Sequence, residues 1–537
     1  MKKFLLFLIL AQTALGSFAL TPKDEMIFKA MEDEMKRSMS ELKMDNMPRP
    51  YFITYKIHAL KYFGFDAQSG SLIETRENEN LTTQVLLRVG TQKEDNSFFD
   101  SNIYSSSARQ APSFSYDGLR ARLWQLTDRV YKDSLSLLAK KQAYKKNKNI
   151  DNNYKDFSPA EPAVYIEDFT PQIIDKDYWE NLAKELSAQG DIKEIDNFEA
   201  AVNIEFRPIY FITSEGAKYT KDYYHIVINL IAKARTKNGF ELEESKRFTY
   251  ADFKDIPTKE ELIKQARDFA LQTAALTKAE KVKPFIGPVL LESAAAATLF
   301  NNQFFPNISR PKPVLSERYD PTQGEFSLKK GLKIMPAGFD VIDDPLTTVF
   351  DGVKLIGSYR VDDEGTAAQK LDLITNGKLT TLPATRSLFE GQKATNGHAM
   401  ARRSGDDFAQ AYVKNLFFKP RSPIAAAEFK NKFLEYCRQE GLDYCYIIRG
   451  SVDEDFFSAY KINAKTGEET PVYGATIKDL GARTLRDIKY AADDAKVYNI
   501  TNSISGISII TPSVILSEVE IKPTQKLPAR KPLVPKP

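Results

Sequence analysis

The stretch Val361–Gly405 constrains this 537-residue chain more than any other. It opens with Asp362, Asp363, Glu364, Gly365 and Thr366, an acidic turn. The alternating residues Gln369–Ile374 read as a strand. Asn376 and Gly377 tolerate positive φ, so a tight hairpin turn is expected there, followed by a second strand at Lys378–Leu382. A loop then runs to Asn396, Gly397 and His398.

Upstream, Thr21 with Pro22 marks a helix start, and Ile27, Met31 and Met35 form one apolar face. Alternation in Tyr51–Leu60, Leu72–Thr75 and Thr83–Val89 predicts strands. Leu119, Leu123, Leu126, Val130, Leu137 and Leu138 fit the 3.6-residue period of a long helix to about Lys146. Its lysine-rich end complements the helix dipole. A helix near Asp177–Ala188 is followed by a hairpin: Ile204–Thr213, the turn Ser214-Glu215-Gly216, and Tyr223–Arg235. Thr258 and Glu261 form a capping box for a helix reaching about Lys281. Lys281–Pro288 breaks the pattern and is the expected domain boundary. Beyond it the chain is strand-rich, with one helix at about Ala425–Glu440 stopped by Gly441.

Composition is ordinary for a globular chain, 42% hydrophobic and 27% charged, and the formal charge of +3 argues against a nucleic-acid partner. Residues 1–19 read as a signal peptide: Lys2-Lys3, the apolar run Phe4–Leu10, and small residues at Ser17 and Ala19. The run is short for a membrane span, so an exported protein, periplasmic or secreted and with no membrane span after signal removal, is expected. Cys437 and Cys445 are suited to a disulfide in an oxidising compartment or to two buried thiols. The tail 521–537, rich in proline and basic residues, reads as disordered.

The order DDEGT, strand, NG turn, strand, NGH loop resembles the C-terminal domain of the TldD/PmbA (TldD/TldE) metallopeptidase-related family. The segment ending in Ser214-Glu215-Gly216 resembles a turn in that family's N-terminal domain. The resemblance implies an α+β fold in two domains: an N-terminal sheet with packed helices over 20–284, and a β-rich peptidase-like domain over 285–520. It also implies proteolysis of unfolded or extended peptide, and a homodimer or a heterodimer with a TldD-like subunit.

The family's zinc peptidases carry HExxxH on the first helix of the C-terminal domain, with a downstream Cys. Zinc needs N, S or O ligands in fixed geometry and an open position for the water it activates. In this chain the corresponding stretch is Gly287–Phe300, GPVLLESAAAATLF. Glu292 is the surviving acidic residue and the candidate catalytic position, and the histidines are missing. The chain has three histidines, His58, His225 and His398, far apart in sequence. The expectation is therefore a pseudoenzyme without cofactor: a peptide-binding or partner subunit, with Asn396, Gly397, His398, Arg402 and Arg403 as candidate peptide contacts lining a cleft that faces the Glu292 helix. One alternative is an active metallopeptidase whose zinc is held by Glu292, His398 and Asp362. Another is a structural cell-envelope protein.

Overall fold

The computed structural model describes residues 20–99, 105–110, 115–150, 155–167, 171–221, 224–308, 314–315, 324–388, 392–400, 409–450, 457–478, 480–502 and 505–524. Residues 1–19, Arg402, Arg403 and residues 525–537 lie outside them.

The strand Pro50–Gln68 organises the N-terminal half. It pairs along its length with Ser71–Val89, and its other edge is shared by Ile195–Phe206 and Ile209–Thr213. The sheet continues through Lys218–Lys221 on one side and through Tyr224–Arg235 and Glu241–Tyr250 on the other. Alternation assigns the faces. Ile53, Tyr55 and Ile57 join Tyr210 and Ile212 in a core covered by the helices Pro22–Glu41 and Tyr116–Lys148. Farther along, Phe65, Val202, Ile204, Ile226 and Ile228 lie under the helices Lys176–Ala188 and Lys259–Leu276.

Glu74–Glu79 shows no apolar alternation because it is exposed throughout, yet it pairs with Lys61–Asp66 inside one long hairpin. The ladder supplies its backbone bonds, and Lys176 and Glu180 meet its side chains. The Thr258-capped helix ends at Leu276, and Glu280–Lys281 instead forms a strand parallel to Glu469–Tyr473.

From there the chain builds two further sheets. One centres on Phe285–Leu291, parallel to Tyr444–Gly450 and antiparallel to Val514–Pro523. That last strand runs past Glu520, and Ile521 is buried, so residues 521–523 are ordered ladder rather than disordered tail. The other sheet runs in the order Lys378–Leu379, Leu371–Thr375, Phe339–Asp343, Asn415–Pro420, Ser505–Thr511, Lys496–Asn502. The helices Ser293–Gln303 and Ala426–Gln439 pack with both sheets into one core. The hairpin expected in Val361–Gly405 forms, with Asn376 at φ 50° and Gly377 at φ 79°. The chain is thus a mixed α+β fold, with helices covering one face of the N-terminal sheet and a strand-dominated second half. Cys437 and Cys445 are joined by a disulfide that ties the end of a helix to the strand after it.

Candidate binding site between the sheets

Glu292 is the N-cap of the helix Ser293–Gln303, and its side chain makes no capping hydrogen bond. It accepts instead from Arg449 Nε at 2.6 Å, and Arg449 Nη2 donates to Glu469 at 2.8 Å. Ala295, Ala296 and Ala297 are buried against the sheets, close enough for Phe300 to stack on Phe418 at 3.6 Å between centroids. Small residues here serve packing and offer no ligand atoms. The stretch 287–300 contains no His or Cys, and the two cysteines are oxidised and cannot serve as thiolate ligands. Among the described residues no three His, Cys, Asp or Glu side chains converge as a metal site. The residues present do not fit the family's zinc.

The DDEGT stretch joins the two halves of the molecule. Asp363 accepts from Lys56 Nζ and from Tyr219 OH, both at 2.9 Å, reaching the face of the N-terminal sheet opposite its helices. Glu364 accepts from Arg386 N–H, and the Arg386 guanidinium pairs with Glu215 in the Ser214-Glu215-Gly216 turn at 2.7 Å. Gly365 has φ +81°, and a Cβ there would stand 2.4 Å from Ala217 Cβ, so a side chain would push this turn off the sheet. The two segments that resemble the family therefore touch each other. Asp362 faces inward, accepting from the N–H groups of Glu364, Thr366 and Ala399, while burial pushes its carboxyl well above the usual range.

The loop after the hairpin is held by its own polar groups. Asn396 Oδ1 accepts from Ala384 N–H at 2.8 Å and Nδ2 donates to Leu382 O at 3.0 Å. Gly397 has φ +73°, and a Cβ would come 2.1 Å from Ala367 O. His398 is fully buried. Its Nδ1 is 2.9 Å from Asn396 O, and its Nε2 is 3.0 Å from Asp343 Oδ2 at an angle too poor for a well-formed hydrogen bond. Asn396, Gly397 and His398 thus build the loop; Arg402 and Arg403 lie outside the described residues. His398 O accepts from Tyr412 N–H, and Tyr412 packs on Phe305, two residues past the far end of the Glu292 helix. Glu292 lies at the opposite end of that helix, with Arg449, and is not brought to His398 or Asp362 by any of these contacts.

Two cavities with mixed polar and apolar linings lie between the N-terminal sheet and the second half. One, of about 290 Å³, is lined by Tyr62, Asn203, Glu205, His225, Asn229, Arg247 and Thr501. Arg247 Nη2 donates to Thr501 Oγ1 at 2.7 Å, tying the two sheets together at the cavity. Burial, reinforced by Arg207, Lys414, Arg247 and Lys221, pushes His225 down to about 3, which keeps it neutral near pH 7. The other cavity lies by Lys221 and Tyr359. Tyr359 OH donates to Gly397 O, and its ring meets His398 edge-on, so this cavity rests on the same loop.

The sequence does contain a signal for this region. Lys56, His58 and His225 interrupt otherwise apolar buried strands, and such residues mark a face that meets polar partners rather than solvent. Lys414, buried beside Asn415, lies outside any periodic pattern and is visible from the fold alone.

Comparison with known proteins agrees with this architecture. Residues 286–523 match the model of the PmbA/TldA metallopeptidase C-terminal domain. No curated protein matches the chain. Among solved structures, a proposed modulator of DNA gyrase from Thermotoga maritima superposes with a TM-score of 0.62 at 15% identity, covering 92% of this chain and 100% of that one. TldE from Thermococcus kodakarensis gives 0.59 at 13% identity, covering 92% and 99%. A proposed modulator of DNA gyrase from Bacteroides thetaiotaomicron gives 0.59 at 12%, covering 94% and 100%. At these identities the likeness is one of fold. Residues 286–523 thus carry the C-terminal domain of the PmbA/TldD metallopeptidase family, in a chain that shares the fold of these structures along nearly its whole length.

Proposed function

We propose that this protein is an exported, non-hydrolytic member of its family that serves proteolysis by binding extended peptide or by partnering a TldD-like subunit. The observation that carries the reading is the Glu292 helix. Its side chains at the family's motif are alanines packed into the core, and Glu292 is engaged by Arg449. A resemblance in fold to TldE supports the partner role. The cavity at Asn203, Asn229 and Arg247 supports peptide binding: its volume of about 290 Å³ is at the small end of ligand pockets, and amide and guanidinium groups suit an extended backbone. The leader pattern in residues 1–19 and the Cys437–Cys445 disulfide support an oxidising destination. No helix among the described residues is long and apolar enough to cross a membrane.

The test is co-expression with a family subunit that retains HExxxH. The reading predicts a stable complex, with hydrolysis of an unfolded protein seen in the complex and not with this chain alone. It also predicts that Asn229→Ala weakens capture of a fluorescently labelled unfolded peptide by about tenfold, the scale of one or two lost hydrogen bonds. Failure to form a complex together with peptide capture indifferent to Asn229→Ala would refute it.

A further inference from the structure

We propose that the cavity between Lys218–Lys221 and Ser358–Val361 is a binding site for a compact oxyanion, a carboxylate or a phosphate-like group.

The cavity holds about 80 Å³, room for one such group. Lys221, Arg360 and Thr348 line it, together with one carboxylate, Glu167. Around it the fold gathers cations. Lys221 Nζ and Lys414 Nζ stand 5.1 and 5.6 Å from the centre of the Tyr359 ring. Lys56 lies nearby on the same sheet face, 2.9 Å from Asp363. Asp363 is already engaged by Lys56 and Tyr219. Among the described residues, neither Lys221, Lys414 nor Arg360 has a carboxylate within ion-pair distance. Four cations, Lys56, Lys221, Lys414 and Arg360, thus face three carboxylates, Asp363, Glu167 and Asp343, which leaves one positive charge in excess.

Lys221 and Lys414 share a hydrogen bond and the Tyr359 ring but no adjacent carboxylate, and buried positive charge that is not fully balanced is costly. Burial does push Lys221 below its ordinary value, and it pushes Lys414 much further, with the charge of Lys221 adding to the effect. An anion in the cavity would supply the missing negative charge. It would meet the ammonium of Lys221 from inside and the exposed guanidinium of Arg360 at the mouth, the donor types that hold oxyanions. This proposal is independent of the peptide-binding reading.

The experiment is calorimetric titration of the full chain at constant ionic strength with four probes: inorganic phosphate, N-acetyl-dialanine with a free carboxylate, its amide, and chloride. The expected result is saturable one-to-one binding of phosphate or the free-carboxylate peptide, and none of the amide or chloride. Binding of phosphate alone points to a free or esterified phosphate; binding of the peptide acid alone points to a chain terminus. Lys221→Gln and Arg360→Gln should each weaken binding by about tenfold or more. Arg360 is exposed, so Arg360→Gln decides the matter if Lys221→Gln does not fold. No saturable binding by either oxyanion, or equal binding by the folded variants, overturns the proposal.

Discussion

The joint between the two halves can be tested at Asp363. Asp363→Ala removes the acceptor of Lys56 Nζ and of Tyr219 OH at once. The side chains of Lys56 and Asp363 are 8% and 17% exposed, so water replaces the lost partner poorly. Lys56 would then stay buried near Lys221 and Lys414 with no compensating carboxylate. Removing one partner of a buried pair costs about 3–5 kcal/mol, and the small residual exposure of Asp363 puts this case near the lower end, about 3 kcal/mol. Lys56→Met removes the other charge and keeps most of the volume. If the pair is as close as the structure has it, the double variant should be more stable than the summed single effects imply, by about 2 kcal/mol. The assay is urea unfolding of the four proteins, compared at their midpoints. A loss below about 0.5 kcal/mol in Asp363→Ala, or effects that add within about 0.5 kcal/mol, would refute the assignment of this contact as the joint.

Other outcomes follow from the same geometry. Gly397→Ala, which meets Ala367 O in a left-handed backbone, should cost more than about 2 kcal/mol in urea unfolding, with little effect if the loop were open. Phe300→Ala opens a cavity beside Phe418 and should cost about 3–5 kcal/mol, read as a lowered thermal midpoint. His225 has a folded-state value of about 3 against 6.5 in the unfolded chain. The unfolded state therefore binds more protons between those values, and stability is lost as pH falls from 6.5 toward 3. His225→Gln should reduce the loss between pH 6.5 and 4 by about 2 kcal/mol, measured as thermal midpoint against pH; an unchanged slope contradicts the burial of that ring.

The α+β character, the main helices and the hairpin at Asn376-Gly377 were legible because each rests on local periodicity or turn chemistry. What was not legible depends on the other side of an interface. Arg76–Glu79, between the expected strands Leu72–Thr75 and Thr83–Val89, gives no strand signal because no face of it is apolar, but a 19-residue partner strand supplies its ladder. Asn396 and His398 are expected to face a peptide because the family resemblance puts their loop on a cleft. Whether a polar loop residue satisfies its neighbours or a ligand depends on what the fold brings opposite it, here Ala384, Leu382 and Asp343. Lys221 and Lys414 are 193 positions apart by their numbering, and nothing local announces that they flank one tyrosine ring.

The central claim is that the Glu292 helix packs a core and holds no metal. Its most direct test is metal analysis of the purified full chain after incubation with equimolar zinc and gel filtration, beside hydrolysis of an unfolded protein substrate. The account predicts zinc far below one per chain, unchanged by Glu292→Ala, and no hydrolysis by the chain alone. One zinc per chain, lost on Glu292→Ala together with a chelator-sensitive peptidase activity, would contradict it.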